Sequence, residues 1–558
     1  MALGRVLGCL WFLHLSRHHV FPQLISPSQR CLSCSLSPCL LQWIMIQNPI
    51  LPGFNPDPSI CRVGDDYYIA TSTFEWYPGV QIHHSTDLQH WRLLTQALSE
   101  HLDLSGVPSS GGVWAPALSH CDGVFYLCYT VVHQHEAATK ATPNYLTTAT
   151  SIEGPWTPPV FVNSSGFDPS LFHDQDGEKY WLNMVWDHRP NHHPFYGIAL
   201  QNYDVLKQRL IGESKIIFKG SSIGLTEGPH LYQRNGWYYL LTAEGGTEYE
   251  HAVSLARSRS LDGPYQVHPV NPVLTSSGCP DIDLQKAGHA SLVETQTGEW
   301  YMPHLCGRPL PGTRRCNLGR ETAIQKVEWR DDDWLYMVGE DNRPKLQVEA
   351  PQLPEKKWDE LASRIPFDSI HYATPRMPLN SADRQPDKLV LRGAESLESC
   401  FQQAMLARRL TSQGATATTR FRFQPQSFQQ MAGLVAYYNT HLFHYLYVSM
   451  DEVHGRCLQI HSCDDGASSF PLAANLIQLP DGDLYLRAVF DRCVLSFFWS
   501  TDDRTYHEVG VDLDASILSD DHGDHWGFTG TFIGLACQDL TGRQLPAEFD
   551  YLEVQSTH

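Results

Sequence analysis

The sequence predicts an all-β protein in which a five-bladed β-propeller is followed by a C-terminal β-sandwich. The main observation is a motif that occurs five times along the first part of the chain. Its proline or alanine anchors lie about 53–61 residues apart, a length that fits one four-stranded blade; they are Pro58, Pro116, Pro169, Pro229 and Ala290. The second observation is that no long stretch shows the period of an amphipathic helix.

Each anchor leads into a tight turn and then into an aromatic-rich run. The second repeat, "APALSHCDGVFYLCYT", turns at residues 122–123, and the fourth, "GPHLYQRNGWYYLLTAE", turns at residues 235–236. Asp-Gly and Asn-Gly favour hairpin turns, and aromatic residues favour strands. Five similar strand–turn–strand units therefore predict blades arranged around a central channel.

At 558 residues the chain is too long for a single core. We expect a non-domain extension over residues 1–44, the propeller over 45–338, a proline-bearing charged linker over 339–362 and the sandwich over 363–558. Beyond the linker, runs such as "FHYLYVSM" and "CVLSFFWS" are typical of short strands between turns. The second domain is therefore predicted as a lectin-like sandwich.

The first 44 residues differ from the rest of the chain. Their apolar run "LGCLWFL" is too short to span a bilayer, and no small-x-small cleavage site follows it. Met45 opens "MIQNPILPGF", which looks like a natural start. These features favour a cytoplasmic protein, with secretion directed by a weak signal as the alternative.

Composition excludes several classes of partner and site. The formal net charge of −21 argues against nucleic acid or an anionic membrane as a partner. The eleven cysteines beyond residue 44 form no C-x-x-C pair, so neither a zinc site nor a disulfide framework is indicated. The sequence leaves the oligomeric state open, a homo-oligomer included.

The residue before each anchor is predicted to face the central channel, because the first strand of a propeller blade lines it. These residues are Asp57, Ala115, Asp168, Gly228 and His289. Trp114 and Glu227 lie one position before Ala115 and Gly228. For Asp57 alone a plain turn is the simpler interpretation, and the following proline is expected to hold it in extended geometry. Three acids at equivalent points of a ring are costly, however, and indicate a function.

Three acids in a channel could hold a hard cation, act as a general acid and base, or bind a ligand without reaction. Hydrolysis of a glycoside with inversion needs a neutral carboxylic acid and a carboxylate roughly 6.5–9.5 Å apart. Acids on different blades can satisfy that gap, and a third acid can raise the pKa of the proton donor. Aromatic walls and an arginine would complete a sugar pocket; the candidates are Phe74, Trp114, Trp186 and Arg320.

Several motifs together resemble a known family. They are "NPILPGFNPDPSI", "YYIATSTFEWYPGV", "GVWAPAL", "GFDPSLF", "TEGPHLY", "GHASLVE" and "GRET", which cover residues 47–321, and "GFTGTFIGLACQDL" at 527–540. The family is glycoside hydrolase family 43, in the branch of two-domain β-xylosidases. Its fold is a five-bladed propeller, in agreement with the repeat.

The resemblance implies a role for each acid. Asp57 in "NPDPS" corresponds to the general base that activates water. Glu227 in "TEGPH" corresponds to the general acid that protonates the leaving oxygen. Asp168 in "FDPSL" corresponds to the residue that tunes the pKa of the acid and orients it.

The resemblance also implies substrate-binding residues. Arg320 in "GRET" is similar to the arginine that binds sugar hydroxyls, while Phe74, Trp114 and Trp186 are similar to pocket walls. His289 in "GHASL" is similar to a channel histidine that holds a water or a calcium ion in some relatives. No cofactor is implied as required; calcium at His289 is the alternative, and no metal site is certain.

The implied activity is that of an inverting exo-glycosidase that releases D-xylose from the non-reducing end of β-1,4-xylo-oligosaccharides. An α-L-arabinofuranosidase or a bifunctional enzyme acting on an arabinose-substituted substrate is the alternative. A non-catalytic carbohydrate-binding propeller or a metal-bound structural propeller is the alternative of another class. In this branch the sandwich lends a residue to the pocket rim, and both Phe528 and Phe532 in "GFTGTF" qualify.

Overall fold

The computed structural model describes residues 45–339, 341–525 and 527–557, and the predicted propeller and sandwich are both present. The predicted extension over residues 1–44 lies outside the described residues, so the preferred cytoplasmic location stays a prediction. Helical structure in the described part is limited to a 3₁₀ turn, Ala515–Ile517. No helix in that part is long and apolar enough to cross a membrane.

Five antiparallel sheets follow one another along the chain as blades. Blade 1 contains Ser59–Val63, Asp66–Thr71, Gly79–Ser85 and Arg92–Leu98. Blade 2 contains Gly112–Cys121, Val124–Val132, Asn144–Ala149 and Val160–Asn163. Blade 3 contains Gly166–His173, Lys179–Trp186, Phe195–Asp204 and Arg209–Phe218.

The last two blades each carry one additional short strand. Blade 4 contains Glu227–Arg234, Trp237–Glu244, Ala252–Ser258, Gln266–Val267 and Leu274–Thr275. Blade 5 contains Gln285–Ala290, Val293–Glu294, Trp300–Gly307, Glu321–Trp329 and Leu335–Met337. In every blade the predicted anchor lies at or beside the first strand, as the repeat predicts.

The chain closes the ring of blades between blade 5 and blade 1. Met45–Gln47 pairs with Gln347–Glu349, and the Asn48 side chain makes two hydrogen bonds of 2.8 Å with the backbone of Ile324 in blade 5. Residues 347–349 lie in the predicted linker, whose prolines and charges indicated only a loop. This strand is therefore a finding that composition did not predict, because its partner lies about 300 residues away in sequence.

The second domain consists of two seven-stranded antiparallel sheets. The first contains Ala382–Gln385, Lys388–Arg392, Pro546–Thr557, Gly414–Arg422, Leu484–Asp491, Val494–Ser500 and His507–Asp514. The second contains Ala404–Arg409, Phe532–Asp539, Gln430–Asn439, Leu442–Asp451, Gly455–Asp464, Ala467–Ser469 and Ile477–Gln478. Alternating apolar residues from both sheets fill one core between them, which is the sandwich arrangement.

The sandwich and the propeller share a hydrophobic cluster. The Phe532 ring of the sandwich stacks on the Trp76 ring, which lies between the second and third strands of blade 1, at a centroid distance of 3.7 Å. A two-stranded ladder between Trp76–Tyr77 and Thr374–Pro375 reinforces this contact. The continuous apolar contact fixes the second domain over one mouth of the channel.

Candidate active site

A repeated backbone irregularity turns the predicted channel residues toward the axis. In blades 2 to 5 the pairing of the first strand with the second shifts register beside the anchor, as in a β-bulge. Asp57, Asp168, Gly228 and His289 all have positive φ, between 41° and 56°. The expectation that the following proline holds Asp57 in extended geometry is therefore wrong, because hydrogen bonds from Ser72 to the Pro56 carbonyl and to the Asp57 carboxyl override the proline's local preference.

The serine two positions after the channel residue links neighbouring blades. Ser59 Oγ accepts the Leu118 N–H of blade 2 at 2.9 Å, and Ser170 Oγ donates to the Pro229 carbonyl of blade 4 at 2.6 Å. Ser291 Oγ donates to the Pro58 carbonyl of blade 1 at 2.8 Å. The serine in "DPS" and "HAS" therefore holds the inner ends of the blades together, so that their acids keep a fixed separation.

A pocket of about 1200 Å³ opens at the channel mouth, between the propeller and the sandwich. The structure brings every predicted site residue to this pocket: Asp57, Phe74, Trp114, Asp168, Trp186, Glu227, His289 and Arg320. Of the two sandwich candidates, Phe528 lines the pocket. Phe532 does not, because its ring is buried against Trp76 in the cluster between the domains.

Ser72, Arg320 and His289 surround the Asp57 carboxyl. Ser72 Oγ donates a hydrogen bond of 2.6 Å to Oδ2. Arg320 Nη1 lies 3.5 Å from Oδ1, and His289 Nδ1 lies 3.8 Å from the same oxygen. The Asp57 carboxyl is thus held in place by a hydroxyl donor and lies beside a guanidinium group.

Asp168 and Glu227 are both in environments that favour their neutral forms. Burial, together with the nearby Asp57 charge, raises the pKa of Asp168 to about 8, although the Gly228 N–H and Arg320 act in the opposite direction. Burial and then the charges of Asp168 and Asp57 raise the pKa of Glu227 well above its usual value. The Gly228 N–H donates to Asp168 Oδ2 at 3.1 Å.

Asp168 and Glu227, the two carboxyl groups whose pKa is raised, differ in their hydrogen bonds. Asp168 accepts a backbone N–H, which stabilises a carboxylate, whereas no described residue donates a hydrogen bond to the Glu227 carboxyl. The Gly228 N–H therefore lowers the pKa of Asp168, and Glu227 has no corresponding donor among the described residues. The site thus combines the Asp57 carboxyl, which lies beside Arg320, with Glu227, whose pKa is raised, and general acid–base hydrolysis needs such a pair of carboxyl groups.

His289 closes the floor of the site beside Asp57. Burial lowers the pKa of His289 despite the opposing effect of Asp57, so the ring is neutral near pH 7. A Cβ at Gly228 would lie 3.0 Å from this ring, which explains why glycine follows Glu227. Among the described residues no group of three or more His, Cys, Asp or Glu side chains is arranged to hold a metal ion. Calcium at His289 stays a prediction.

Three aromatic rings form one wall of the pocket. Phe74, Trp114 and Phe528 have ring centroids 5.6–5.9 Å from one another. The Arg320 guanidinium lies 5.0 Å from the centroids of both phenylalanine rings. An apolar ring face next to a cationic donor is suited to a sugar, whose C–H face stacks while its hydroxyls accept hydrogen bonds.

Trp186 lines the same pocket but is not one of the three rings of this wall. Its ring packs against Phe195 at 5.6 Å and against Phe167 at 6.4 Å, and Lys140 Nζ lies 4.2 Å from its centroid. Trp186 thus lines the pocket beside Phe167 and Phe195.

Sequence reasoning did not identify two residues that orient the site. Ser72 holds Asp57, and Thr247 Oγ1 accepts a hydrogen bond of 2.8 Å from Arg320 Nη1. Both are small hydroxyl residues in strand-end stretches, and nothing in their spacing distinguishes them from other such residues. The glycines of "GGT" at residues 245–247 were the available signal, because paired glycines often mark a close backbone approach to a site.

Comparison with known proteins agrees with this geometry. The family model described as Glycosyl hydrolases family 43 matches residues 46–335. The model described as Beta xylosidase C-terminal Concanavalin A-like domain matches residues 366–555. Together these two matches cover both domains of the described chain.

Similar proteins cover nearly the whole chain. A protein of Bacillus subtilis (strain 168) named "Beta-xylosidase" is 49% identical over 532 residues, covering 91% of this chain and 99% of its own. "Xylosidase/arabinosidase 43B" of Humicola insolens is 48% identical, covering 91% and 97%. The crystal structure of xylan beta-1,4-xylosidase from Bacillus halodurans C-125 superposes with a TM-score of 0.90 at 51% identity, covering 92% and 100%.

Identity at this level over both domains, together with the family match, settles the classification that the sequence motifs predicted. The chain is a glycoside hydrolase and belongs to Glycosyl hydrolases family 43.

Proposed function

We propose that the protein is an inverting exo-β-xylosidase that removes D-xylose from the non-reducing end of β-1,4-xylo-oligosaccharides and requires no cofactor. The observation that carries the proposal is the meeting of Asp57, Asp168 and Glu227, from three different blades, in one pocket. Similarity to proteins named beta-xylosidase supports the choice of sugar.

In this proposal Asp57 is the general base. Arg320 and Ser72 hold its carboxyl group in place, and in this role it takes a proton from the water that attacks the anomeric carbon. Glu227 is the general acid, because its raised pKa leaves it a proton to give to the departing glycosidic oxygen. Proton transfer by a positioned carboxyl group contributes about 10²–10⁴-fold to such a reaction.

In this proposal Asp168 raises the pKa of the general acid, Glu227. Its charge is one of the causes that raise the pKa of Glu227. The Gly228 N–H that holds Asp168 belongs to the residue directly after Glu227, so the two carboxyls are tied through one backbone segment.

The proposal that the enzyme attacks only chain ends rests on a contact that the sandwich makes with the pocket. Phe528 packs against Phe74 and Trp114, and its carbonyl accepts a hydrogen bond of 3.1 Å from Arg320 Nη2. In this proposal the contact closes one end of the pocket to a polysaccharide, so that only a chain end reaches the acids. The end of a chain would enter past Trp186 and place its last sugar at the acids.

The test is a side-by-side assay on p-nitrophenyl β-D-xyloside and p-nitrophenyl α-L-arabinofuranoside. We expect a higher kcat/KM on the xyloside, and release of single xylose units from the non-reducing end of xylotetraose. The arabinofuranosidase alternative has support from the relative named xylosidase/arabinosidase, and it requires the arabinofuranoside to be the better substrate. Hydrolysis of neither substrate would contradict both.

Replacement of Asp168 tests its adjusting role through the pH profile. At high pH the ionised Asp168 keeps the proton on Glu227, so Asp168→Asn should lower the pKa of Glu227. The high-pH limb of kcat/KM should then move about one unit toward lower pH. The measurement is the pH dependence of kcat/KM on the xyloside for both proteins, with Asp66→Asn as a surface control. An unmoved limb would remove this role from Asp168.

A further inference from the structure

The loop between blades 1 and 2 makes contact with several parts of the sandwich. We call residues 104–111 the docking loop. The Gly106 N–H donates to the Cys400 carbonyl at 2.8 Å, and Arg376 Nε donates to the Val107 carbonyl at 2.7 Å. The hydroxyl groups of Ser109 and Thr440 lie 2.7 Å apart. This loop is therefore a principal site where the second domain is held to the first.

Ser110 connects this docking to the pocket wall. Its N–H donates to Glu75 Oε2 at 3.1 Å, directly beside Phe74. Its carbonyl accepts the Trp114 Nε1–H at 2.9 Å, and its Oγ accepts the Phe528 N–H at 3.1 Å. All three polar groups of one residue thus bond to the three segments that carry the aromatic wall.

The conformation of Ser110 is unusual for a serine. The residue is fully buried and has φ of 62°, in the left-handed region that non-glycine residues seldom adopt. Glycine would adopt this backbone without strain, but it would lack the hydroxyl group. A strained buried residue whose side chain and backbone both contact the site segments indicates a functional constraint.

The three rings have no direct polar bond among themselves. Their spacing of 5.6–5.9 Å depends on how the backbones of blade 1, blade 2 and the sandwich are held. Phe74 also pairs through its backbone with Val113, the neighbour of Trp114, so the propeller half of the wall is fixed within the propeller. Phe528 has to be brought to that half from the other domain, and the Ser110 hydroxyl bonds to its backbone.

We propose that Ser110 is a positioning residue that sets Phe528 against Phe74 and Trp114, so that docking of the sandwich completes the binding wall for the terminal sugar. This inference rests on the proposed function of the pocket. Ser110 lies behind the rings and acts through Phe528, not through contact with the substrate. Loss of its hydroxyl should therefore weaken sugar binding more than the chemical step.

The test compares Ser110→Ala with Ser109→Ala in the full-length protein. Ser109→Ala is a matched control, because it also removes a serine hydroxyl bonded to the sandwich but has no bond to Phe528. We expect Ser110→Ala to raise KM for p-nitrophenyl β-xyloside about three- to tenfold, the usual worth of one hydrogen bond, with a smaller change in kcat. Ser109→Ala should leave KM within twofold, and the melting temperatures of both variants should be recorded. Ser110→Gly, which keeps the backbone unstrained, should raise KM as Ser110→Ala does.

A double-mutant cycle with Phe528→Ala makes the test independent of folding. If Ser110 acts through Phe528, removal of its hydroxyl should have little further effect on KM in the Phe528→Ala protein, whereas the effect of Ser109→Ala should be unchanged there. The inference would be overturned if the KM increase in the double variant were the product of the increases in Ser110→Ala and Phe528→Ala. It would also be overturned if Ser109→Ala raised KM as much as Ser110→Ala does. Lack of activity in the unaltered protein would instead overturn the proposed function, and binding of D-xylose followed by tryptophan fluorescence would still report on Ser110.

Discussion

Asp57→Asn should lower kcat on p-nitrophenyl β-xyloside by about 10³–10⁴-fold while the protein keeps its fold. The amide has the same shape as the carboxylate but cannot accept a proton from water, so the attacking nucleophile is lost. The loss should be similar for substrates with good and poor leaving groups, because both need an activated water. The measurement is steady-state kinetics on an aryl xyloside and on xylobiose, with circular dichroism to verify the fold.

Asp66→Asn provides the control for this variant, because Asp66 lies in the same blade and its carboxyl pairs with His84 away from the pocket. It should retain activity within twofold. Activity of Asp57→Asn within tenfold of the unaltered enzyme would show that another group activates the water.

Glu227→Gln should lower kcat more for substrates with a poor leaving group than for substrates with a good one. When the glycosidic bond of xylobiose breaks, the second xylose unit departs as an alkoxide unless its oxygen is protonated, so turnover of xylobiose should fall by about 10²–10⁴-fold. A dinitrophenyl xyloside releases a stable phenolate, so its turnover should fall by less than about tenfold. The high-pH limb of the profile should also disappear, because the group that loses its proton there has been removed.

The measurement is kcat for a series of aryl xylosides whose phenols differ in pKa. A steeper dependence on phenol pKa in Glu227→Gln than in the unaltered enzyme is the expected result. Parallel dependences would assign proton donation to a different residue, for which Asp168 would be the first candidate.

The architecture could be predicted because each blade repeats the same local signals. The anchors such as Pro58 and Pro229, the glycine turns and the aromatic runs all lie within short segments, so their meaning does not depend on distant partners. The number of repeats then fixes the number of blades. Convergence of Asp57 and Asp168 followed from this symmetry, because equivalent positions of a ring face one axis, and Glu227 directly precedes the equivalent residue Gly228.

The features that sequence reasoning missed depend on contacts between distant segments. The left-handed backbone of Asp57 occurs where Ser72, a residue of the next strand segment, bonds to the Asp57 carboxyl and to the Pro56 carbonyl, against the preference that Pro58 would set. The strand at 347–349 exists because Met45–Gln47 is available as its partner. Such pairings leave no signal within the segment itself.

The sandwich residue of the pocket illustrates the same limit. Phe528 and Phe532 are four positions apart in one motif and have identical side chains. Their surroundings separate them: Phe532 begins a strand and stacks on Trp76, whereas Phe528 precedes the strand and reaches the Arg320 guanidinium. Only the docked arrangement of the two domains assigns one to the pocket and the other to the core.

Proton NMR of the sugar released in the first seconds of turnover tests the central claim most directly. If a water activated by Asp57 attacks opposite the leaving group that Glu227 protonates, a β-xyloside must give α-xylose first, with β-xylose appearing only by later mutarotation. Initial release of β-xylose would mean that an enzyme carboxylate attacks the sugar itself. In that case the assigned roles of Asp57 and Glu227 would both be contradicted.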